Sequence, residues 1–139
     1  GVPWLPVPGE HLALAVARQE PDRASALNGF RNFLHWRQAH PALRLGTIRF
    51  LDTPEPVLAF TRHTDEETLL VAFNLSDVAT TVVLPLHGSA QVLHGHGLHE
   101  GSLDGRQLHL PGHGAVFASL ENANRQQPAR QAALAGATP

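Results

Sequence analysis

The spacing of apolar residues changes at Gly46, from a helical period to an alternating one. Upstream of it, Leu27, Phe30 and Leu34 recur at the i, i+3 and i+4 positions that share one face of an α-helix. Arg37 continues the same row. This pattern predicts one amphipathic helix followed by a region of strands.

The sequence indicates where this helix begins and ends. Asp22 is a favourable N-cap, and the segment 23–39 contains one Gly and no Pro. Pro41 disfavours helical geometry at the residue before it, His40. We therefore expect the helix to begin after Asp22 and to end before His40.

Two aromatic residues, Phe33 and Trp36, widen the apolar arc of the helix to about half of its circumference, beyond the ~100° that one contact surface needs. Burial of each such side chain contributes about 1.5–3 kcal/mol, which is lost when the side chain stays in water. The helix is therefore predicted to be covered on two sides.

Short β-rich runs follow Gly46. Their alternating apolar positions are Ile48, Phe50, Val57, Ala59 (or Leu58 and Phe60), Leu69, Val71, Phe73, Val82, Leu84, Val92, Leu108, Leu110 and Val116. Turn-forming segments separate them at 52–56, 64–67, 74–77, 86–89 and 95–105. No helices are predicted between the strands, as a parallel βαβ unit would need. The pattern predicts a mainly β fold, an antiparallel β-sandwich.

The two ends of the chain give weaker patterns. Residues 1–9 hold three prolines and two glycines around Trp4, which predicts an extended or turning arm. Residues 10–19 fit a helix by propensity and an extended segment by the alternation of Leu12, Leu14 and Val16. The polar, Ala-rich segment 122–139 predicts a flexible tail, disordered or a frayed helix.

Composition narrows the class of protein. The 139 residues are 42% hydrophobic and 16% charged, enough for one domain with its own core. The formal net charge is −2 and the ten basic residues, all arginines, are dispersed, so no nucleic-acid partner is predicted. No apolar run has the length of a membrane span, and we expect no membrane partner and a cytoplasmic location.

Cysteine and methionine are both absent from the sequence. Without cysteine, disulfide scaffolds, thiolate zinc sites and thiol nucleophiles are excluded. The chain begins at Gly1 and contains no initiator Met, so we expect a processed or excised piece whose neighbour belongs to a missing segment.

Histidines are numerous, and His94, His96 and His99 form an H-x-H-x-x-H segment that His109 and His113 follow. On a strand, His94 and His96 would share a face and could bind zinc with a third ligand. The Gly-rich sequence HGHGLHEG instead favours a loop, and no Asp is placed to support the ligands. We expect no metal site and no cofactor.

No catalytic or substrate-binding residue is predicted within this chain. Glycoside hydrolysis and aspartic proteolysis each need two facing carboxylates, whereas the acidic residues here fall in turns or at element ends. No serine lies in G-x-S-x-G: Ser25 belongs to the first turn of the helix and Ser76 to a turn. Trp4 and Trp36 could each stack on a sugar ring, although packing is the preferred interpretation of Trp36.

Several segments occur in an order that a known family shares: PWLPV, Gln19, SALNGFRNFLHWRQAHPALRLG, IRFLD, VLAFTR, LLVAFNLS and LPGHGAVF. In this order they resemble the C-terminal end of an α-glucosidase of the α-amylase superfamily, in the group of oligo-1,6-glucosidases and bacterial α-glucosyl-transferring enzymes. The resemblance covers about residues 3–120.

The resemblance implies three parts: the end of the catalytic barrel at 1–43, with an extended arm and the last helix of a (β/α)8 barrel; a β-sandwich C-terminal domain at 44–121; and the flexible tail at 122–139. It implies that the missing N-terminal catalytic barrel of the same enzyme is the partner, and that this barrel binds an α-glucoside such as maltose. The family uses an Asp nucleophile and a Glu acid–base on barrel strands. Those motifs are absent here, so this chain is expected to be structural and inactive alone.

Two alternatives stay open from the residues themselves. One is a stand-alone carbohydrate-binding β-sandwich with Trp4 or Trp36 as its platform. The other is a histidine-based metal-binding module around residues 94–99.

Overall fold

The computed structural model describes residues 4–6 and 8–121. The predicted tail at 122–139 lies outside the described residues, as do residues 1–3 and 7 of the predicted arm. The described part contains a helical layer, a five-stranded sheet and a three-stranded sheet, in that order through the molecule.

The helical layer precedes all the strands in the chain. It comprises a 3₁₀ helix at Gly9–Leu14, α1 at Val16–Gln19, α2 at Ala26–Gln38 and α3 at Pro41–Leu45. The strands are β1 (Thr47–Phe50), β2 (Val57–His63), β3 (Thr68–Asn74), β4 (Thr80–Val83), β5 (Ala90–Leu93), β6 (Ser102–Asp104), β7 (Gln107–Leu110) and β8 (Ala115–Leu120).

All strand pairs in the two sheets are antiparallel. The larger sheet has the order β1-β2-β3-β8-β5 and the smaller has the order β4-β7-β6. Strands that follow one another along the described chain are joined by loops, with no helix between them. The predicted mainly β, antiparallel sandwich is confirmed.

The central strand β3 explains how the layers are held together. Successive side chains of a strand point to opposite faces, and six of the seven residues of β3 are buried. Leu70 and Ala72 belong to the core between the two sheets, whereas Leu69 and Val71 belong to the core under the helices. The inter-sheet core is completed by Val57, Ala59, Val82, Leu84, Leu86, Leu108, Leu110, Val116 and Ala118.

Phe117 of β8 is the centre of the second core, between the larger sheet and the helices. Only 2% of its surface is exposed, and its ring centroid lies 4.8 Å from that of Trp36 and 6.1 Å from that of Phe33. Both partners come from α2, so these two rings fasten the helix to the sheet. Such aromatic pairs contribute about 0.5–1.5 kcal/mol beyond the burial of their area.

The beginning of the helix differs from the prediction. Helix α2 starts at Ala26, and its N-cap is Ser25, whose Oγ accepts a hydrogen bond of 3.3 Å from the Asn28 backbone N–H. Asp22 is not the cap: its Oδ1 accepts from Ala24 N within the preceding turn. An Asp side chain can form a local turn instead of capping a helix, and Asp22 does so here. Ser25, which directly precedes the apolar row, is the residue that caps the helix.

The end of the helix is as predicted, but a second helix directly after it was not predicted. His40 has φ −117° and ψ 94°, an extended conformation, and Pro41 then opens the new helix α3. Proline favours the first position of a helix because its φ is already suitable and the missing N–H has no intrahelical partner. Helix α3 crosses the predicted domain boundary between residues 43 and 44. The position of that boundary stays a prediction.

Two further predictions were incomplete. Strand β6 lies inside the segment 95–105 that was interpreted as a turn, because three residues are too few to show an alternating pattern. The ambiguous residues 10–19 are mainly helical, as a 3₁₀ turn followed by α1, and they do not form an extended strand.

Polar residues of the SALN segment hold the start of α2 in place. The Asn28 side-chain amide donates to the backbone carbonyls of Gln19, Glu20 and Asp22. In return, Gln19 Oε1 accepts from the Leu27 backbone N–H at 3.0 Å. The bond to Gln19 satisfies an N–H of the α2 N-terminus that has no intrahelical acceptor. The Asn28 amide reinforces a turn in which the Gln19 and Asp22 carbonyls also accept backbone N–H groups.

The NLS segment after β3 has a similar structural role. Asn74 is only 3% exposed, and its side-chain amide donates to the carbonyls of Val78 and Pro111 at 2.7 and 3.0 Å. Its Oδ1 accepts from the backbone N–H and the hydroxyl of Ser76. A fully satisfied buried amide of this kind fixes the turn between the two sheets.

Candidate functional site

Helix α2 carries two apolar rows with different surroundings. Phe33 and Trp36 lie against the larger sheet, whereas Phe30 is 61% exposed and Leu34 is 36% exposed. None of the thirteen residues of α2, all of them described, is buried. The predicted coverage on two sides is therefore present on one side only within the described part of the chain.

Beside the inward row, a groove opens between the helices and the sheet. It has a volume of about 180 Å³ and is lined by Phe33, Arg37, Leu43, Phe60, Arg62, Val71, Phe73 and Phe117. Aromatic rings form a row across the sheet here, since Phe60 lies 5.7 Å from Phe50 and 6.3 Å from Phe73 between ring centroids. Phe50, on the edge strand β1, is 62% exposed.

The two arginines of the groove are occupied by the fold. Arg37 donates from Nη2 to the Leu43 carbonyl at 2.9 Å, and Arg62 donates from Nε to the Ala42 carbonyl at 3.1 Å. Both acceptors belong to α3, and the Ala42 carbonyl also accepts from the Gly46 backbone N–H. The two guanidinium groups therefore fasten α3 to α2 and β2. The rest of the groove presents mainly apolar and aromatic surface.

The uncovered surface extends beyond α2 and the groove. The N-terminal elements add exposed apolar side chains, and so do α3 and β1: Trp4, Leu5, Leu12, Leu14, Val16, Leu45 and Ile48. We call Phe30, Leu34 and Phe50, together with the groove, the apolar face. Phe50 adjoins the groove through Phe60, and large exposed apolar patches mark interaction sites more often than solvent-facing surface.

The two tryptophans have opposite environments. The Trp36 ring lies 4.8 Å from Phe117 and 4.5 Å from His40 between centroids, and its indole N–H donates to the His94 carbonyl at 2.8 Å. The preferred interpretation of Trp36 as a packing residue is confirmed, and its indole N–H is not free for a sugar. Trp4 is 90% exposed.

The histidines do not form the arrangement that a zinc site would need. Strand β5 ends at Leu93, and His94 and His96 lie in a loop where Gly95 and Gly97 have φ of 83° and 75°. The loop that the Gly-rich sequence favoured is therefore confirmed, and the alternative with both imidazoles on one strand face is wrong. Within residues 4–6 and 8–121, no three His, Asp or Glu side chains are grouped so as to hold a metal ion.

Instead, Glu100 connects the two loop histidines. His94 Nδ1 lies 2.9 Å from Glu100 Oε2, and His96 Nε2 lies 3.8 Å from Oε1. The hydrogen bond from His94, followed by that from the Gly95 N–H, holds the pKa of Glu100 below its usual range. Burial lowers the pKa of His96, a change that the Glu100 charge opposes and that His94 reinforces.

The other candidates from the sequence are dispersed. His99 Nδ1 lies 3.2 Å from the Gly112 carbonyl, and His109 Nδ1 lies 2.9 Å from Thr81 Oγ1 on the smaller sheet. His113, at a positive φ of 52°, donates its backbone N–H to the Ser76 carbonyl. Ser76 bonds to Asn74 in a turn, as the sequence predicted, whereas Ser25 is the N-cap of α2 and not a residue of its first turn. Both serines have structural roles.

Sequence reasoning missed the residues that tie the helical layer to the sheet. Glu67 Oε1 accepts from the Ala42 backbone N–H at 2.6 Å, and Glu67 Oε2 lies 4.0 Å from His40 Nδ1. These contacts join residues about 25 positions apart in the chain. No local periodicity signals such a pairing, and in the sequence Glu67 is only the last residue of the predicted turn 64–67.

Comparison with known proteins gives consistent results. The family described as "Domain of unknown function (DUF3459)" matches residues 44–117. A probable alpha-glucosidase of Rhizobium meliloti (strain 1021) is 43% identical over 118 residues, which are 85% of this chain and 21% of that protein.

Solved structures show the same fold. The alpha-glucosyl transfer enzyme XgtA matches with a TM-score of 0.80 and 43% identity, over 86% of this chain and 22% of that one. An alpha-amylase from H. orenii matches with a TM-score of 0.61 and 26% identity, over 77% and 22% of the respective chains. The chain thus spans about a fifth of the length of these relatives.

Proposed function

The chain belongs to the family described as a domain of unknown function (DUF3459), and from this membership we propose that it is the C-terminal β-sandwich of an α-glucosidase or α-glucosyl-transferring enzyme of the α-amylase family. The support is the identity of 43% to a probable alpha-glucosidase and to an alpha-glucosyl transfer enzyme. The parent enzyme would act on α-glucosides such as maltose.

The proposed role of this segment is structural. The apolar face packs against the catalytic barrel of the same enzyme, with α2 as the last barrel helix between the barrel and the sandwich. The catalytic Asp and Glu belong to barrel strands outside this sequence, as does the substrate site. The division into 1–43 as the end of the barrel and 44–121 as the sandwich, and the cytoplasmic location, are parts of this proposal.

One observation carries the structural role: α2 is fastened on one side and uncovered on the other. Phe33 contacts Phe117 on the sheet, whereas Phe30, one helical turn earlier, is 61% exposed. An amphipathic helix that needed only the sandwich would have a polar outer face. A second apolar row is typical of a helix between two packed layers.

The first test is activity of the chain alone. We expect no release of glucose from maltose and no cleavage of an aryl α-glucoside, because the residues of a retaining mechanism lie outside this chain. Measurable turnover by the isolated chain, at a level that persists through further purification, would contradict the structural role.

The second test is the apolar face itself, probed with an environment-sensitive apolar dye. The unaltered chain is expected to bind the dye, and the double variant Phe30→Ser, Phe50→Ser is expected to bind less of it. Val83→Thr is the matched control, since Val83 on the smaller sheet is 64% exposed, against 61% and 62% for the two phenylalanines. Equal dye binding by all three proteins would remove the docking face from the proposal.

A further inference from the structure

His96 is the most deeply buried of the described ionisable side chains. Only 1% of its surface is exposed, and its ring lies 4.9 Å from Phe117 and 5.4 Å from Trp36 between centroids. It therefore lies in the core between the helices and the larger sheet, although it belongs to a surface loop. Neither the proposed glycosidase chemistry nor the proposed docking face involves this residue.

Hydrogen bonding defines the form of the imidazole. His96 Nδ1 accepts a hydrogen bond of 3.1 Å from the Leu98 backbone N–H, so the neutral ring carries its proton on Nε2. Protonation of Nδ1 would place two donors against each other and leave the Leu98 N–H unpaired. The charged ring is thus incompatible with this loop geometry, apart from the cost of burying its charge.

The same loop holds α2. The Trp36 indole donates to the His94 carbonyl, and Trp36 packs edge-on against the His96 ring. Leu98, two residues after His96, packs against the same core. A movement that took the His96 ring out of its position would therefore remove a packing surface and disturb a hydrogen-bond acceptor of Trp36.

We propose that the 94–100 loop is an acid-sensitive latch on α2: neutral His96 fastens Trp36 to the sheet, and protonated His96 leaves its site and releases the helix. This inference does not depend on the identity of the enzyme or on the docking partner. Its effect would be to loosen the helix that carries the apolar face as the pH falls below neutral.

Charged and titratable groups face this site from two elements. From the loop, Glu100 lies 3.8 Å from His96 Nε2 and pairs with His94. From the α2–α3 connection, His40 lies against Trp36 and approaches Glu67. Glu100 opposes the latch by favouring a charged His96, whereas the His94 charge and the burial favour the neutral form.

The sign of the pH dependence follows from the direction of the shift. Burial lowers the pKa of His96 in the folded chain below the ordinary histidine value of about 6.5. Below that value the unfolded chain takes up a proton that the folded chain refuses. Stability is therefore complete above about pH 6.5 and decreases as the pH falls from there to the folded pKa. The pKa of Glu100 is itself lowered, first by its hydrogen bond with His94. The Glu100–His94 pairing is therefore lost only at a more acidic pH, as the pH falls through the pKa of Glu100.

The test uses the full chain with Trp4→Phe, in which Trp36 is the only tryptophan. Its emission would be followed from about pH 8 to about pH 5, across the range in which histidines titrate. We expect a red shift with a midpoint below about 6.5, as Trp36 becomes exposed to water. His96→Asn should abolish the transition, since Asn Oδ1 can replace Nδ1 as the acceptor for the Leu98 N–H and does not titrate.

The control variant is His109→Asn, which removes an exposed histidine on the smaller sheet and should leave the transition unchanged. A transition that persists in His96→Asn, or no change in Trp36 emission in the parent chain, would overturn the proposal. If His96→Asn does not fold at pH 8, the imidazole ¹⁵N shifts of the unaltered chain decide. The latch requires His96 to be protonated on Nε2 alone at pH 8 and to gain its second proton together with a change in the Trp36 indole signal, and any other result overturns it.

Discussion

The β-sandwich and the helical layer bury their apolar side chains to very different extents. In β3, six of seven residues are buried, because this strand has the smaller sheet on one face and the helices on the other. The 3₁₀ helix, α1 and α2 contain no buried residue. Only Ala42 and Leu43 of α3 are buried in the helical layer.

This difference shows which region of the chain supplies its own stability. The sandwich has a closed core between two sheets, which does not need another partner. The helical layer has an inner side fastened by Phe33 and Trp36 and an outer side in water. The chain therefore resembles a complete domain on which an incomplete layer rests, and the incomplete layer is where a partner would contribute most.

The largest expected effect is the loss of a side chain from the sandwich core. Leu108 is fully buried between the sheets, so Leu108→Ala should reduce the free energy of unfolding by about 2–5 kcal/mol, through lost burial and an unfilled cavity. Urea denaturation followed by far-UV circular dichroism would measure this change.

The matched control lies in the helical layer. Leu45 of α3 is 78% exposed, and Leu45→Ala should change the free energy of unfolding by no more than about 0.5 kcal/mol. Similar losses from the two substitutions would mean that the two regions do not differ in the way the burial indicates.

The sequence was sufficient to predict the sandwich, because several of its strands alternate clearly between apolar and polar positions. In β2 and β7, the alternating positions Val57, Ala59, Leu108 and Leu110 all reach the inter-sheet core. The turns between them contain the Asn, Asp, Gly and Pro residues that turn geometry favours. The two rows of α2 were also predictable, since helical spacing alone shows them.

The features that could not be predicted depend on contacts between distant segments. Asp22 and Ser25 are both favourable N-cap residue types, so residue type alone does not decide between them. Asp22 Oδ1 bonds to the Ala24 N–H and Ser25 Oγ to the Asn28 N–H, and only the second bond caps the helix. The burial of His96 depends on Trp36, 60 positions earlier, and on a loop that two glycines with positive φ allow. The Gly-rich sequence correctly favoured a loop for His94 and His96, but it could not show that this loop places the His96 ring in the core.

A smaller effect is expected where the two regions are joined. Glu67→Ala removes the acceptor for the Ala42 N–H, and should reduce the free energy of unfolding by about 1–2 kcal/mol, the range for a hydrogen bond to a charged group discounted for partial exposure. Thermal unfolding at neutral pH would measure it. Glu66→Ala is the control, because Glu66 is the exposed neighbour and has no such contact with the helical layer.

The smallest effect on the free energy of unfolding is expected on the outer row of α2. This effect tests whether the outer side of the helical layer is uncovered, in contrast to the sandwich core. Phe30→Ala removes a large aromatic side chain that is 61% exposed, and should change the free energy of unfolding by no more than about 0.5 kcal/mol. Phe33→Ala, one turn later, should reduce it by about 1–3 kcal/mol, because Phe33 packs on Trp36 and Phe117 but is only half-buried. Urea denaturation of both variants gives the difference directly. A loss from Phe30→Ala equal to that from Phe33→Ala would mean that the outer row is already covered in the isolated chain. The helical layer would then be as complete as the sandwich, and the apolar face would no longer support docking against a barrel.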